Sequence, residues 1–356
     1  MEKNRKIKIG VIKADGIGDA VLASPFFLGL RQHYKHAHIT GFLSPAGKEA
    51  MEGLGFFDEI QVIKPAWLSY EKKSFPARIA SALSVLKLVN KYRFDTLISM
   101  RWQDRLSSLI LSLSNARLKY GYDVKGAGFG INRKMAAPKR GIHETEKHML
   151  FLQRITGRKY PVKLNFAVSK QSEDNIIRLL KKGGVEKFAV LHPVSGHPSK
   201  DWPLENYIEL ALALAKKMAV IVVGAKADSG VLAVKGRNIS NLSGIISVRE
   251  MGSLIKRAQI VVGNDSAAVH IASAFNVKSL TVFSGAADYK EWGALGQNAY
   301  IITKTVPCAG CEEPQCEHGK ACLEIPVDFV LNTINSILKG KQKHNITEYV
   351  KEDVLF

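Results

Sequence analysis

Four short segments hold the residue types that can do chemistry. The first is KADGIGDAVLASP, Lys13 to Pro25, where Gly16 and Gly18 lead into Asp19 as an apolar strand gives way to a helix. Loops at the carboxyl ends of strands in open α/β sheets face a ligand crevice, so a carboxylate there can take a proton from a bound hydroxyl. The plainer reading of Asp19 is a helix N-cap. The segment lacks both the third glycine of G-x-G-x-x-G and the GK[ST] of a P-loop. This argues against an NAD enzyme and a P-loop ATPase.

The second segment, LHPVSGHPSKDWPLENY, carries Ser195 and Lys200 ahead of a helix opened by Pro203. A hydroxyl, free backbone N–H groups and a lysine before a helix start suit a diphosphate. An ordinary loop, with Lys200 solvated and Trp202 packed beneath it, is the alternative. The third, IVVGNDSAAVHIASAF, places Asp265, Ser266, Ala267 and His270 at a small-residue helix start. A phosphate fits close to such a start, and Asp265 can accept from sugar hydroxyls. Equally, Asp265 reads as a cap and His270 as a satisfied core histidine. The fourth is the cysteine run Cys308, Cys311, Cys316 and Cys322, which holds all 4 cysteines of the chain. Its spacing suits a structural zinc or iron–sulfur site; two disulfides or four reduced thiols bracing a loop are the alternatives.

The elements that must position these residues alternate in type. Strands are predicted at Lys8–Ile12, Ile39–Leu43, Glu59–Ile63, Asp95–Ser99 and Leu118–Gly121, with helices at Ala20–Tyr34, Ala77–Lys91, Asp104–Ser114 and Glu144–Thr156. The glycines of 121–130 and the basic run Arg133–Arg140 predict a mobile loop. A second set has strands at Lys187–Leu191, Ala219–Val223, Ile260–Val262 and Ser279–Phe283. Its helices fall at Ser172–Lys182, Leu204–Lys217, Val248–Lys256 and Ala267–Phe275. Short β-branched runs alternating with amphipathic stretches mean parallel α/β architecture. Two doubly wound domains are expected, 1–160 and 161–338, followed by a charged tail, 339–356.

The length of 356 residues fits two such domains, and a 46% apolar content supplies a core for each. No apolar run is long enough to span a bilayer. The N-terminus has no secretory h-region, so a soluble cytoplasmic protein is expected. With 51 Lys+Arg against 32 Asp+Glu the formal charge is +19, which favours phosphate-rich partners. The basic residues are spread out, without an RNA-binding signature or aromatic-interleaved patch, so no nucleic acid is expected.

Taken in order, these segments resemble glycosyltransferase family 9, the ADP-heptose:lipopolysaccharide heptosyltransferases, from about Ile7 to Leu338. The resemblance rests on Gly18-Asp19 with Pro25, and on His192-Pro193 followed by Lys200-Asp201-Trp202-Pro203. It continues through Asn241-Leu242-Ser243-Gly244 with Ser247 and Glu250, and closes on Gly263-Asn264-Asp265-Ser266-Ala267-Ala268-Val269-His270. It implies a GT-B-like fold, two Rossmann-like doubly wound domains facing each other across a cleft. The N-terminal domain would bind the acceptor and the C-terminal one the nucleotide-sugar donor.

The resemblance also implies an inverting, metal-independent transfer of heptose from ADP-heptose to a lipopolysaccharide inner-core acceptor, with Asp19 as general base. Ser195 and Lys200 would meet the donor phosphates, with the helix start at Ser266–Ala268, and Asp265 the sugar; His270 lies in the same motif. Ser266-Ala267 replaces the family's Thr-Gly. Ser99-Met100-Arg101-Trp102-Gln103-Asp104 departs from the family pattern, leaving Arg101 and Arg105 either to grip an anionic acceptor or to be solvated. The excess charge fits peripheral attachment to the anionic inner face of the inner membrane. Alternatives are another nucleotide sugar or glycan acceptor, a non-catalytic nucleotide-sugar-binding protein, or a basic zinc or nucleic-acid-binding protein.

Overall fold

The first strand, β1 (Lys8–Lys13), is KIGVIK and is buried from Ile9 onward. Such two-sided burial belongs to a parallel sheet covered on both faces. In the computed structural model, which describes residues 5–68, 73–225, 236–313 and 315–350, the chain divides into two units, Met1–Ala167 and Val168–Phe356.

The N-terminal unit adds β2 (His38–Leu43), β3 (Glu59–Val62), β4 (Thr96–Ser99), β5 (Leu118–Tyr122) and β6 (Arg133–Met135). Its helices are α1 (Ile17–His33), α2 (Pro45–Met51), α3 (Phe75–Tyr92), α4 (Arg105–Leu113) and α5 (Glu144–Thr156). All strand pairs are parallel and the order is β3-β2-β1-β4-β5-β6. Helix α1 is apolar nearly all round, because the sheet lies on one side of it and α5 on another. Thr145 Oγ1 donates to Leu22 O at 3.0 Å, and the Phe26 and Phe151 rings stand 5.9 Å apart. Pro25 has no N–H for Val21 O; the Ser24 hydroxyl takes that carbonyl instead, at 2.6 Å.

The C-terminal unit contains β7 (Phe188–His192), β8 (Ala219–Val222), β9 (Ile239–Asn241), β10 (Ile260–Gly263), β11 (Ser279–Val282), β12 (Ala299–Thr303) and β13 (Ile346–Glu348). They order as β13-β12-β11-β10-β7-β8-β9, again all parallel. Its helices are α6 (Lys170–Lys182), α7 (Leu204–Ala215), α8 (Val248–Ile255), α9 (Ala267–Ala274), α10 (Tyr289–Trp292) and α11 (Val327–Leu338). The core gathers Leu191, Trp202, Tyr207, Val262, Leu280 and Ile334. Ser247 and Glu250 close a reciprocal capping box on α8, which gives that motif a structural use.

Three expectations shift. The boundary expected near residue 160 falls after Ala167, because Ala167 N donates to Ala50 O at 2.8 Å and Asn165 N to Ser24 Oγ at 2.8 Å. The stretch expected as a mobile loop holds strand β6. There Gly128 N donates to Asp123 Oδ1 at 2.8 Å, and a Cβ on Gly130 would reach within 2.4 Å of Ser112 O. The tail contributes edge strand β13, with Tyr349 N donating to Thr303 O at 2.8 Å; residues 351–356 of it lie outside the described residues. Among the described residues no helix is long and apolar enough to cross a membrane.

Candidate active site

Each sheet reverses its winding at one place: between β1 and β4 in the first unit, and between β10 and β7 in the second. Ligands of open α/β sheets bind at the carboxyl ends of strands flanking such a reversal. Apart from the cysteine run, the residues singled out in the motifs fall at these two places.

In the N-terminal unit Asp19 is the third residue of α1, not its cap; Gly16 holds that position without a side-chain bond. The carboxylate is about one-third exposed, at 31%, and its Oδ1 lies 3.9 Å from Lys13 Nζ. It takes part in no hydrogen bond among the described residues, so its lone pairs stay available beside the positive end of the helix. Lys13 is buried at the end of β1, with Nζ 3.0 Å from Asp15 Oδ2. Burial lowers the Lys13 ammonium from its ordinary value, opposed by the charges of Asp19 and Glu144. Arg101, after β4, pairs with Asp15 and with Asp104 Oδ2 at 2.8 Å, and Asp104 caps α4 through Ser107 N. Arg101 is thus held by carboxylates of its own unit, while Arg105 is exposed.

A group that the sequence did not single out closes this site. Glu144, first in α5, is buried with Lys147 Nζ at 3.3 Å and His148 Nε2 at 3.7 Å. Lys147 Nζ also stands 5.0 Å from the centre of the Trp102 ring, a cation–π contact. Burial, then the charges of Lys13 and Lys147, hold His148 well below its ordinary pKa. Trp102 Nε1 and His148 Nε2 are buried without hydrogen-bond partners, while Glu144 Oε2 meets Lys147 Nζ as an ion pair. Leaving a buried polar group unmatched costs about 1–3 kcal/mol, which marks a place for ligand or water contacts.

In the C-terminal unit the register pairs Gly263 with His192, bringing the loops after β7 and β10 side by side. A Cβ at Gly263 would stand 3.0 Å from His192 O, so that approach suits glycine. Asn264, fully buried, ties the loops together. Its Nδ2 donates to Pro193 O at 2.7 Å and Asp201 Oδ1 at 3.1 Å, and its Oδ1 accepts from Trp202 N at 3.1 Å and Tyr207 OH at 2.9 Å. Trp202 packs beneath, its Nε1 donating to Ile325 O at 3.1 Å. Ser195 is fixed in a turn: its N donates to Asp201 Oδ1 at 2.7 Å and its hydroxyl to His197 O at 2.9 Å.

Lys200 Nζ donates to Asp265 Oδ2 at 2.7 Å, and His270 Nε2 lies 3.5 Å from Asp265 Oδ1. Burial alone would raise the Asp265 carboxyl. The hydrogen bond from His270 and the charge of Lys200 outweigh burial and hold it below the ordinary carboxylate range. Ser266 occupies the N-cap of α9 without a side-chain capping bond; its hydroxyl meets His192 Nδ1 at 2.9 Å. The first-turn N–H groups at Ala267 and Ala268 are therefore uncapped by that side chain, an arrangement suited to an anion.

The cysteine loop is a separate feature. Its thiols are unpaired, and Cys316 Sγ accepts from His318 N at 3.4 Å and Lys320 N at 3.3 Å. Burial pushes the Cys322 thiol up, and Cys316 and Cys308 add to it. Among the described residues no three His, Cys, Asp or Glu side chains are disposed to hold a metal ion, so as placed these sulfurs do not form a ligand shell.

Two parallel, doubly wound sheets, each with polar residues at its reversal point, define a glycosyltransferase fold of the GT-B type. Family 9 glycosyltransferase from Veillonella parvula superposes with a TM-score of 0.81 at 16% identity, covering 95% of this chain and 99% of that one. ADP-heptose lps heptosyltransferase II of E. coli superposes with a TM-score of 0.75 at 17% identity, covering 94% and 99%. Lipopolysaccharide core heptosyltransferase OpsX of Haemophilus influenzae is 24% identical over 330 residues, 89% of this chain and 88% of its own. The chain belongs to glycosyltransferase family 9 (heptosyltransferase), whose profile it matches over residues 82–322.

Proposed function

We propose that the protein transfers heptose from ADP-heptose to a lipopolysaccharide core acceptor with inversion at the anomeric carbon. The observation that carries this reading is Asp19, a partly exposed carboxylate at the sheet reversal that takes part in no hydrogen bond among the described residues. Asp19 takes the acceptor hydroxyl proton as the new C–O bond forms at the anomeric carbon. The bond from that carbon to the diphosphate breaks, and its electron pair leaves with ADP. Lys200, the Ser195 turn and the N–H groups at the start of α9 stabilise the departing charge, the role a metal ion plays elsewhere. Asp265, with His270 behind it, receives sugar hydroxyls. Glu144, Lys147, His148 and Trp102 line the acceptor side, where Trp102 Nε1 and His148 Nε2, buried without hydrogen-bond partners, meet acceptor polar groups.

The donor assignment is supported by the ADP-heptose enzyme of E. coli, and the acceptor by the lipopolysaccharide core enzyme of H. influenzae. The charge of +19 supports work at the anionic cytoplasmic face of the inner membrane, to which the protein attaches peripherally. No step passes through the cysteine loop. A structural zinc or iron–sulfur centre there is a separate proposal that requires the sulfurs to draw together. Elemental analysis decides it: stoichiometric metal supports the centre and metal-free protein overturns it.

The main test offers ADP-heptose, ADP-glucose and UDP-sugars with deacylated core oligosaccharides, and reads the product anomer by NMR. Transfer from ADP-heptose with inverted configuration is expected. Transfer from only another nucleotide sugar, or with retention, would overturn the reading.

A further inference from the structure

The loop after β7, which carries Lys200, is fixed at one peptide group from two sides. A peptide is planar, so tying down both of its polar groups sets its orientation. In the peptide that joins Asp201 to Trp202, the N–H of Trp202 donates to Asn264 Oδ1 at 3.1 Å. The carbonyl of the same peptide, Asp201 O, accepts from Lys320 Nζ at 3.2 Å. Asn264 belongs to the motif after β10, but Lys320 comes from the cysteine loop, 119 residues beyond Asp201.

Several bonds place Lys320 there. Gly310 N donates to Gly285 O at 2.6 Å and Glu312 N to Ala286 O at 2.9 Å, which anchors the cysteine loop on the chain after β11. Cys316 Sγ accepts from Lys320 N at 3.3 Å. Farther along, Ile325 O accepts from Trp202 Nε1 at 3.1 Å, so the same stretch grips the β7 loop a second time. Lys320 itself has a φ of 60°, as does Gly319 before it. That left-handed conformation disfavours any side chain, and glycine would fit it better. A lysine kept at such a position points to a use for its ammonium.

The ammonium is half-buried and forms no ion pair among the described residues. It therefore brings an uncompensated positive charge to the loop in which Lys200 pairs with Asp265 at 2.7 Å. We infer that Lys320 is a positioning residue of the donor site: by holding Asp201 O it orients the peptide that follows Lys200, and so keeps the Lys200 ammonium in place for a nucleoside diphosphate. This rests on the donor reading proposed above, and it gives the cysteine loop a role that needs no bound metal.

The test measures ADP binding to the full chain by calorimetry. Wild type is expected to bind ADP, Lys320→Met to bind it about tenfold more weakly, and Lys320→Arg to stay within about threefold of wild type. Adenosine, which lacks the diphosphate, should bind wild type and Lys320→Met equally by ligand-detected NMR. In a Lys200→Met background the effect of Lys320→Met should shrink to within about twofold, because the residue that it positions is gone.

If Lys320→Met leaves ADP affinity unchanged, or lowers it equally in both backgrounds, Lys320 does not act through Lys200 and the inference is overturned. A loss of adenosine affinity together with a lower urea midpoint would make Lys320 a structural tie only, which also overturns it. If the wild type binds no ADP, the donor reading fails and the inference falls with it.

Discussion

The two sheet reversals carry different kinds of site. Around Asp19 the charges are numerous and mutually compensating: Lys13, Asp15, Arg101, Asp104, Glu144 and Lys147 hold one another in place. Around Lys200 there is one main ion pair, to Asp265, with His270 behind it and a neutral amide, Asn264, at the centre. This preset network holds the Lys13 ammonium 3.9 Å from the Asp19 carboxylate. A single cation beside an uncapped helix start is instead ready to exchange its carboxylate for phosphate oxygens. In the proposed function, proton transfer falls to the first unit and charge stabilisation to the second.

Substitutions that touch one region and leave the other intact test that division. The largest effect is expected from Asp19→Asn, which should lower kcat about 10²–10⁴-fold, measured by single-turnover transfer. Lys200→Met should lower kcat/KM about 10²–10³-fold and, unlike the first, weaken ADP binding measured by calorimetry. Asn264→Ala removes the partner of Pro193 O, Asp201, Trp202 N and Tyr207 OH at once. Its cost should be about 2–3 kcal/mol of stability, read by urea unfolding of the C-terminal unit.

The smallest effect concerns pH. His148 is buried in its neutral form with its pKa below the unfolded value of 6.5. Between the two values the unfolded chain binds the extra proton, so stability is full above about pH 6.5 and falls as the pH drops below it. Thermal unfolding of the N-terminal unit should follow that course, and His148→Gln should flatten it.

The same contrast explains what was legible. Ser195, Lys200 and Asp265 lie in two loops that the parallel register of β7 and β10 must bring together, and His270 follows in helix α9, so motif spacing groups them. Asp19 was legible for the same reason, although its place inside the first turn of α1 was not. Glu144, Lys147 and His148 were invisible as a site because α5 reaches the β1 loop only through packing on α1, by contacts such as Thr145 to Leu22. Strand β6 escaped because Arg133-Lys134-Met135, at a sheet edge, carries no apolar alternation. Asn264 stood in plain view within its motif, yet nothing in the sequence reveals a fully buried amide serving both loops.

In the proposed mechanism Asp19 acts on the acceptor proton and not on the donor. Turnover and ADP-heptose affinity measured on the same preparation of Asp19→Asn test it most directly. Turnover should collapse while donor affinity stays within a few fold of wild type. Full turnover, or a donor affinity that collapses along with turnover, would contradict it.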